Sequence, residues 1–242
     1  MLKLAAVAEW GGRAADADQV AEAVARMLAA VPVPPGVQRR DWFDLHDRTP
    51  FPTEHEASVA RVERRRERGP DGTAQPLAGF RIDLVQGRDG TAADDSVPFM
   101  TIAVMAGVVI GGPRMPANTV RVSASAGWMQ AAIRPDRVTL VRALAEAWDP
   151  ARAATWDRDV TRRLPRLPPR TPWTGYASCL ADAIVPRPVF SAAFTTSRFA
   201  RGALAVLDGP WEASRVVEEV PRFLEASTWQ PIPQEESGSA AT

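Results

Sequence analysis

The chain has 242 residues, 45% hydrophobic and 24% charged, the balance of a folded globular protein and not of a disordered chain or a membrane bundle. Lys plus Arg (29) equals Asp plus Glu (29), so the basic excess of a phosphate-backbone binder is missing and dedicated nucleic-acid binding is not expected. The length is enough to bury a core without disulfides or a structural metal.

In chain order, Leu2, Leu4, Ala6 and Ala8 alternate with Lys3, Ala5 and Val7, the period of a strand. That run is too short for a signal peptide, and Trp10, Gly11, Gly12 and Arg13 follow it in place of a small-residue cleavage site. No stretch approaches the ~18 apolar residues of a spanning helix, and the lone Cys179 cannot form an internal disulfide. A cytoplasmic location is expected.

Asp16 with Gln19 forms a capping-box pattern ahead of a helix over 17–31, which Pro32, Pro34 and Pro35 stop. Residues 32–52 read as an ordered loop carrying Trp42, Phe43 and Phe51. Thr53 with Glu56 opens a second helix that Gly69-Pro70 ends. Its strong apolar positions are Val59 and Val62, so Arg61, Arg64, Arg65, Arg66 and Arg68 are expected on a solvated face. Phe80, Ile82 and Leu84 predict a strand over 79–86, followed by a loop over 87–96. Met100 to Ile110 is almost continuously apolar, as in a central strand covered on both faces, and Gly111-Gly112-Pro113 closes it. A third strand over 119–125 completes an antiparallel meander.

Val138, Val141, Leu144, Ala145 and Trp148 recur at helical spacing up to Asp149-Pro150, which places Trp148 in the core; Trp10 is also expected to be structural. Residues 151–172 read as irregular, followed by a short apolar stretch to Leu180 and a small strand over 203–207. Val216, Val217, Val220, Phe223 and Leu224 make a closing helix that Pro221 must kink or split. The pattern predicts one α+β domain over 1–230, with a mostly antiparallel sheet flanked by amphipathic helices and a disordered tail over 231–242.

Chemistry-bearing motifs are sparse. His46 and His55 lie among carboxylates but lack metal-ligand spacing, and Cys179 has no histidine near it in sequence. Ser123-Ala124-Ser125-Ala126-Gly127 lacks the first glycine of a nucleophile elbow and reads as strand end and loop. Lys3, the single lysine, follows no Gly-rich loop, which argues against a P-loop. Arg166 to Pro172 fits a basic polyproline ligand, a match expected by chance in a chain with 22 prolines. No catalytic residue, metal or cofactor is expected.

Several short motifs, in order, resemble the immunity protein 52 family of bacterial polymorphic-toxin systems. Trp10-Gly11-Gly12-Arg13 resembles its Trp-Gly-x-Arg signature, Trp42-Phe43 its aromatic after the first helix, and Ala147-Trp148-Asp149-Pro150 its Ala-Trp-x-Pro. Gly175 to Leu180 fits a Gly-Trp-Leu-Thr-Tyr-Leu block with Tyr176 and Cys179 as departures, and Ala203 to Leu207 fits the terminal strand. Pro221 in the last helix is a further departure.

The resemblance implies a cytoplasmic antitoxin-like protein that is not an enzyme and neutralises a cognate toxin domain by forming a stoichiometric complex. On that reading the acidic aromatic loop is the expected contact surface, with Asp41, Trp42, Asp44 and Asp47 as toxin-binding residues. The carboxylates would steer a basic toxin toward the loop. The alternative is a cytoplasmic hydrolase or transferase using carboxylates within 41–56 as acid and base, and a third option is an interaction module built on Arg163 to Pro172.

Overall fold

The computed structural model describes residues 3–75, 77–86, 97–109 and 116–234. The first residues, Lys3 to Trp10, form the central strand β1, with Ala6, Ala8 and Trp10 in one hydrophobic core and Val7 in a second. An extended run buried on both sides is satisfied only when each face is covered. Helix α1 (Ala17–Ala30) follows; Asp16 Oδ1 accepts from the Gln19 N–H at 2.8 Å and Gln19 Oε1 accepts from the Asp16 N–H, as the capping box predicts.

The predicted loop over 32–52 contains a short strand, β2 (Trp42–Asp44), whose three residues are too few to show alternation. Helix α2 (His55–Arg64) is capped by Glu54, not Thr53: the Glu54 carboxylate accepts from the Glu56 and Ala57 N–H groups at 3.0 and 2.8 Å. The helix stops well before Gly69, because residues 66–74 leave it to form bridges to Phe80 and within themselves. Strands β3 (Ala78–Gln86), β4 (Met100–Val108) and β5 (Asn118–Ala124) form the predicted meander. The expected loop over 87–96 and the closing glycines at 111–112 lie outside the described residues. Strand β4 is not covered on both faces: Met100, Ile102, Val104 and Ala106 are buried, whereas Ala103 and Met105 are exposed.

Ser123 to Gly127 is more than strand end and loop, because Ser125 caps a short helix, α3 (Ala126–Ala131), and its hydroxyl accepts from the Trp128 N–H. Helix α4 (Arg134–Trp148) ends as expected at Asp149, which takes a left-handed conformation (φ 44°). The region read as irregular after it holds strand β6 (Arg152–Thr155), in the middle of the sheet, and helix α5 (Arg158–Arg163). Strands β7 (Ala177–Ala181), β8 (Phe194–Phe199) and β9 (Gly202–Leu207) complete the sheet. Helix α6 (Ala213–Ala226) runs unsplit through Pro221.

The strand order is β2-β3-β4-β5-β1-β6-β7-β9-β8, antiparallel throughout. The protein is thus α+β. Helix α4 packs on β1, β6 and β7 and against α1, while α5 and α6 pack together on the opposite side over Val7, Ala154 and Ala205. Residues 231–234, assigned to the tail from sequence, pack on the fold: Ile232 is buried and bonds Arg170 through its backbone. Glycine at 11 makes room for this closing segment, since a Cβ there would stand 2.6 Å from the Pro233 carbonyl oxygen, and glycine at 12 makes room mainly for the chain after β4, since a Cβ there would stand 1.6 Å from the Val109 carbonyl oxygen. The rest of the tail, 235–242, lies outside the described residues.

Candidate functional site

The acidic aromatic segment is organised by β2 and its own return. The Phe51 N–H donates to the Trp42 carbonyl at 2.8 Å and the Asp44 N–H to the Thr49 carbonyl at 3.0 Å, so residues 49–51 cover the outer side of this edge strand. Alternation then divides the expected contact residues. Asp44 points under α2 and is fully buried; its carboxylate accepts from Arg65 Nε at 2.9 Å and from the His46 N–H at 2.9 Å, with Arg61 Nη1 at 3.5 Å. A carboxylate in that position is not available to a partner, which removes Asp44 from the contact residues. It also corrects the reading of Arg61 as solvated, since its side chain is only 10% exposed.

Asp47 lies half exposed beside the same arginines, 3.2 Å from both Arg61 Nη1 and Arg65 Nη2. The Thr49 hydroxyl, followed by the two guanidinium charges, holds its carboxyl below the ordinary aspartate range. Hydrogen bonds from the Ala57 and Glu56 N–H groups lower Glu54 in the same way. Asp41 is exposed, and Trp42 is half buried at a cleft of about 610 Å³ shared with Leu28, Pro50 and Phe51. The four expected contact residues therefore have three different environments.

His46 pairs with Asp83 at 3.2 Å and His55 with Asp18 at 2.8 Å, both on the surface. Among the described residues no group of His, Cys, Asp and Glu could hold a metal ion, and no helix is long and apolar enough to cross a membrane. Cys179 is buried, and burial pushes its thiol from 9.0 up to about 11. The two-unit rise lowers the thiolate fraction near neutral pH by about 100-fold. A disulfide reagent added at pH 8 should accordingly label native protein on the order of 100-fold more slowly than urea-unfolded protein. Equal rates would place the thiol at the surface.

The residues that sequence reasoning missed are mainly buried polar groups. Arg152, 3% exposed, lies between Trp156 and Trp173, 5.0 and 4.8 Å from their ring centres, and pairs with Glu9 at 2.5 Å. Register explains the ion pair, since Glu9 and Arg152 stand opposite each other on β1 and β6. The Tyr176 hydroxyl donates to Asp157 at 2.6 Å while its ring stacks on Trp211, 5.2 Å away. The polyproline match fails as an extended helix at Arg170, where φ is 62° and the side chain donates to the Ile232 carbonyl.

Two of the sequence motifs meet in space. Trp10 stacks on Trp148 with ring centres 5.6 Å apart, Arg13 lies 5.6 Å over the Trp10 ring, and Arg13 Nη2 donates to the Trp148 carbonyl at 2.8 Å. Arg26 Nη2 donates to the Ala147 carbonyl at 3.3 Å, so two guanidinium groups satisfy the end of α4, where unpaired carbonyls concentrate negative charge.

Away from α4, the sheet is only partly covered. Over β3, β4 and β5 its second face presents exposed Arg81, Ala103, Met105 and Arg121. Where α5 begins to cover the sheet there is a cleft of about 670 Å³, lined by Lys3, Leu4, Arg121, Met129, Trp156 and Arg158 among others.

No family model matches the chain, and no curated protein matches it. Among solved structures, a Pseudomonas aeruginosa T6SS protein aligns with a TM-score of 0.43 at 9% identity, covering 99% of this chain and 76% of that one. This is a distant structural likeness, too weak to transfer a function.

Proposed function

We propose that this chain is an immunity protein of the type its motifs resemble, one that neutralises a cognate bacterial toxin domain by stoichiometric binding in the cytoplasm and catalyses no reaction itself. The observation that carries the reading is the union of Trp10-Gly11-Gly12-Arg13 with Ala147-Trp148-Asp149-Pro150. Arg13 and Trp148 are 135 positions apart, yet one caps the helix that the other ends. Motifs that converge on a helix terminus and satisfy its carbonyls act as a scaffold signature. A rigid scaffold suits an inhibitor that covers another protein's site, because little ordering entropy is lost on binding.

Three of the carboxylates that the hydrolase or transferase alternative would draw on already have structural partners. Asp44 is buried under two arginines, Asp47 is held ionised by Thr49 and the same pair, and Glu54 caps α2. Asp47 and Glu54 are both held below the ordinary carboxylate range, the opposite of what a general acid requires.

The test is coexpression with the C-terminal domain of a secreted protein encoded beside this chain's gene. The expected result is an equimolar complex and rescue of growth. Rescue should persist within about threefold when His46, His55 and Cys179 are together replaced by alanine, since none would touch reacting atoms. If the folded triple variant lost protection, or if the wild type failed to bind, the reading would be abandoned.

A further inference from the structure

The cleft beside α5 gathers three cations, Lys3, Arg121 and Arg158, at one place on the described surface. Lys3, Arg121 and Arg158 are exposed, and their side chains have no hydrogen-bond or ion-pair partner among the described residues. The neighbouring carboxylates are engaged elsewhere: Asp157 caps α5 and accepts from Tyr176, and Asp159 lies 3.8 Å from Arg162. The acidic loop is the opposite case, because its Asp44 and Asp47 are answered by Arg61 and Arg65. Leu4, Met129 and Trp156 supply an apolar wall to the cleft. Backbone register fixes its floor, since Leu4 stands opposite Ser123 on β5, two residues from Arg121.

We propose that this cleft, and not the 41–53 loop, docks the partner, and that the partner is a protein presenting an acidic segment with an apolar side chain. This rests on the toxin-neutralising reading above. Carboxylates of the segment would meet Lys3, Arg121 and Arg158, which have no counter-ion among the described residues, and the apolar side chain would lie against Leu4, Met129 and Trp156. A nucleic-acid strand fits less well, because its many phosphates need a longer basic track than three cations and the whole chain carries no net charge.

The experiment uses the full chain and the same neighbouring-gene toxin domain, with affinity and association rate measured across a salt series. Replacing Arg121→Glu together with Arg158→Glu should weaken binding about tenfold or more and flatten the salt dependence, with melting unchanged. Arg121→Gln with Arg158→Gln, which removes charge without reversing it, should fall between the two and serves as the second variant should the reversed pair misfold. Asp41→Lys should bind within about threefold of wild type. If wild type binds and protects while both arginine pairs bind equally well, the cleft is not the docking site and only this proposal fails. If wild type neither binds nor protects, the toxin-neutralising reading fails and takes this one with it. A third arm measures a labelled single-stranded oligonucleotide of about 20 residues at about 0.15 M salt. Binding by wild type that the arginine pairs abolish would reassign the cleft to nucleic acid and overturn the proposal.

Discussion

Asp44→Asn is expected to destabilise the protein by about 3 to 5 kcal/mol, although the change is nearly isosteric. The carboxylate is fully buried and serves Arg61, Arg65 and the His46 N–H at once. Removing its charge leaves a guanidinium that is 10% exposed with Asp47 as its remaining carboxylate partner. The large effect comes from stranding the partner, not from the pair's net contribution, which desolvation reduces. Urea unfolding of Asp44→Asn beside Asp47→Asn checks this. Asp47 is half exposed, so its loss should cost about 1 kcal/mol or less. Equal effects at the two positions would show that burial does not set the energy here.

The second large effect is expected at Trp148. Its ring stacks on Trp10 and is 4% exposed, and its indole N–H points at the Met27 sulfur 3.4 Å away. Trp148→Ala should cost about 3 to 5 kcal/mol, part from lost transfer energy and part from the cavity left between α1 and α4. For a chain of this length that corresponds to a fall in melting temperature of roughly 10 °C. Trp10→Ala and the double variant close a cycle. A double variant much less unstable than the sum of the singles would measure the stacking directly, and strict additivity would show that the rings pack independently.

What was legible in the sequence follows side-chain bulk and periodicity. Strands β3 to β5 and helices α1 and α4 carry large apolar residues at fixed intervals, so their faces could be read, and β1 was legible from its unbroken apolar run. Strand β6 was not legible because its sequence, Arg-Ala-Ala-Thr, offers no bulk; small residues suit a position where α4 lies directly on the sheet. Strand β8 presents Thr195 to Arg198 to solvent, which leaves nothing to alternate. Helices α3 and α5 have six residues each, too short for a stripe, and the capping residues Ser125 and Asp157 are their clearest local signals.

For the candidate site the limit was different. Composition identifies a carboxylate but not what it faces, and Asp44 faces residues of another element. A usable signal did exist, because Arg61 and Arg65 are four apart and so share one side of α2. Two cations on the side of a helix that also holds buried Val62 require anions beneath them.

The position of β1 has a kinetic consequence. This strand precedes all the others in sequence but sits fifth in the sheet, paired with β5 over residues 118–124 on one side and with β6 over 152–154 on the other. Strands β3, β4 and β5 pair with their neighbours in sequence, as do β8 and β9, yet among the described residues the two half-sheets are joined through β1 alone. Its partners are more than a hundred residues downstream, so the closing step has high contact order and a large loop-entropy barrier. During synthesis β1 has no partner in the sheet until residues 118–124 have been made, and its second edge stays open until residues 152–154 follow. That interval, more than the stability of the finished fold, sets how readily the nascent chain self-associates.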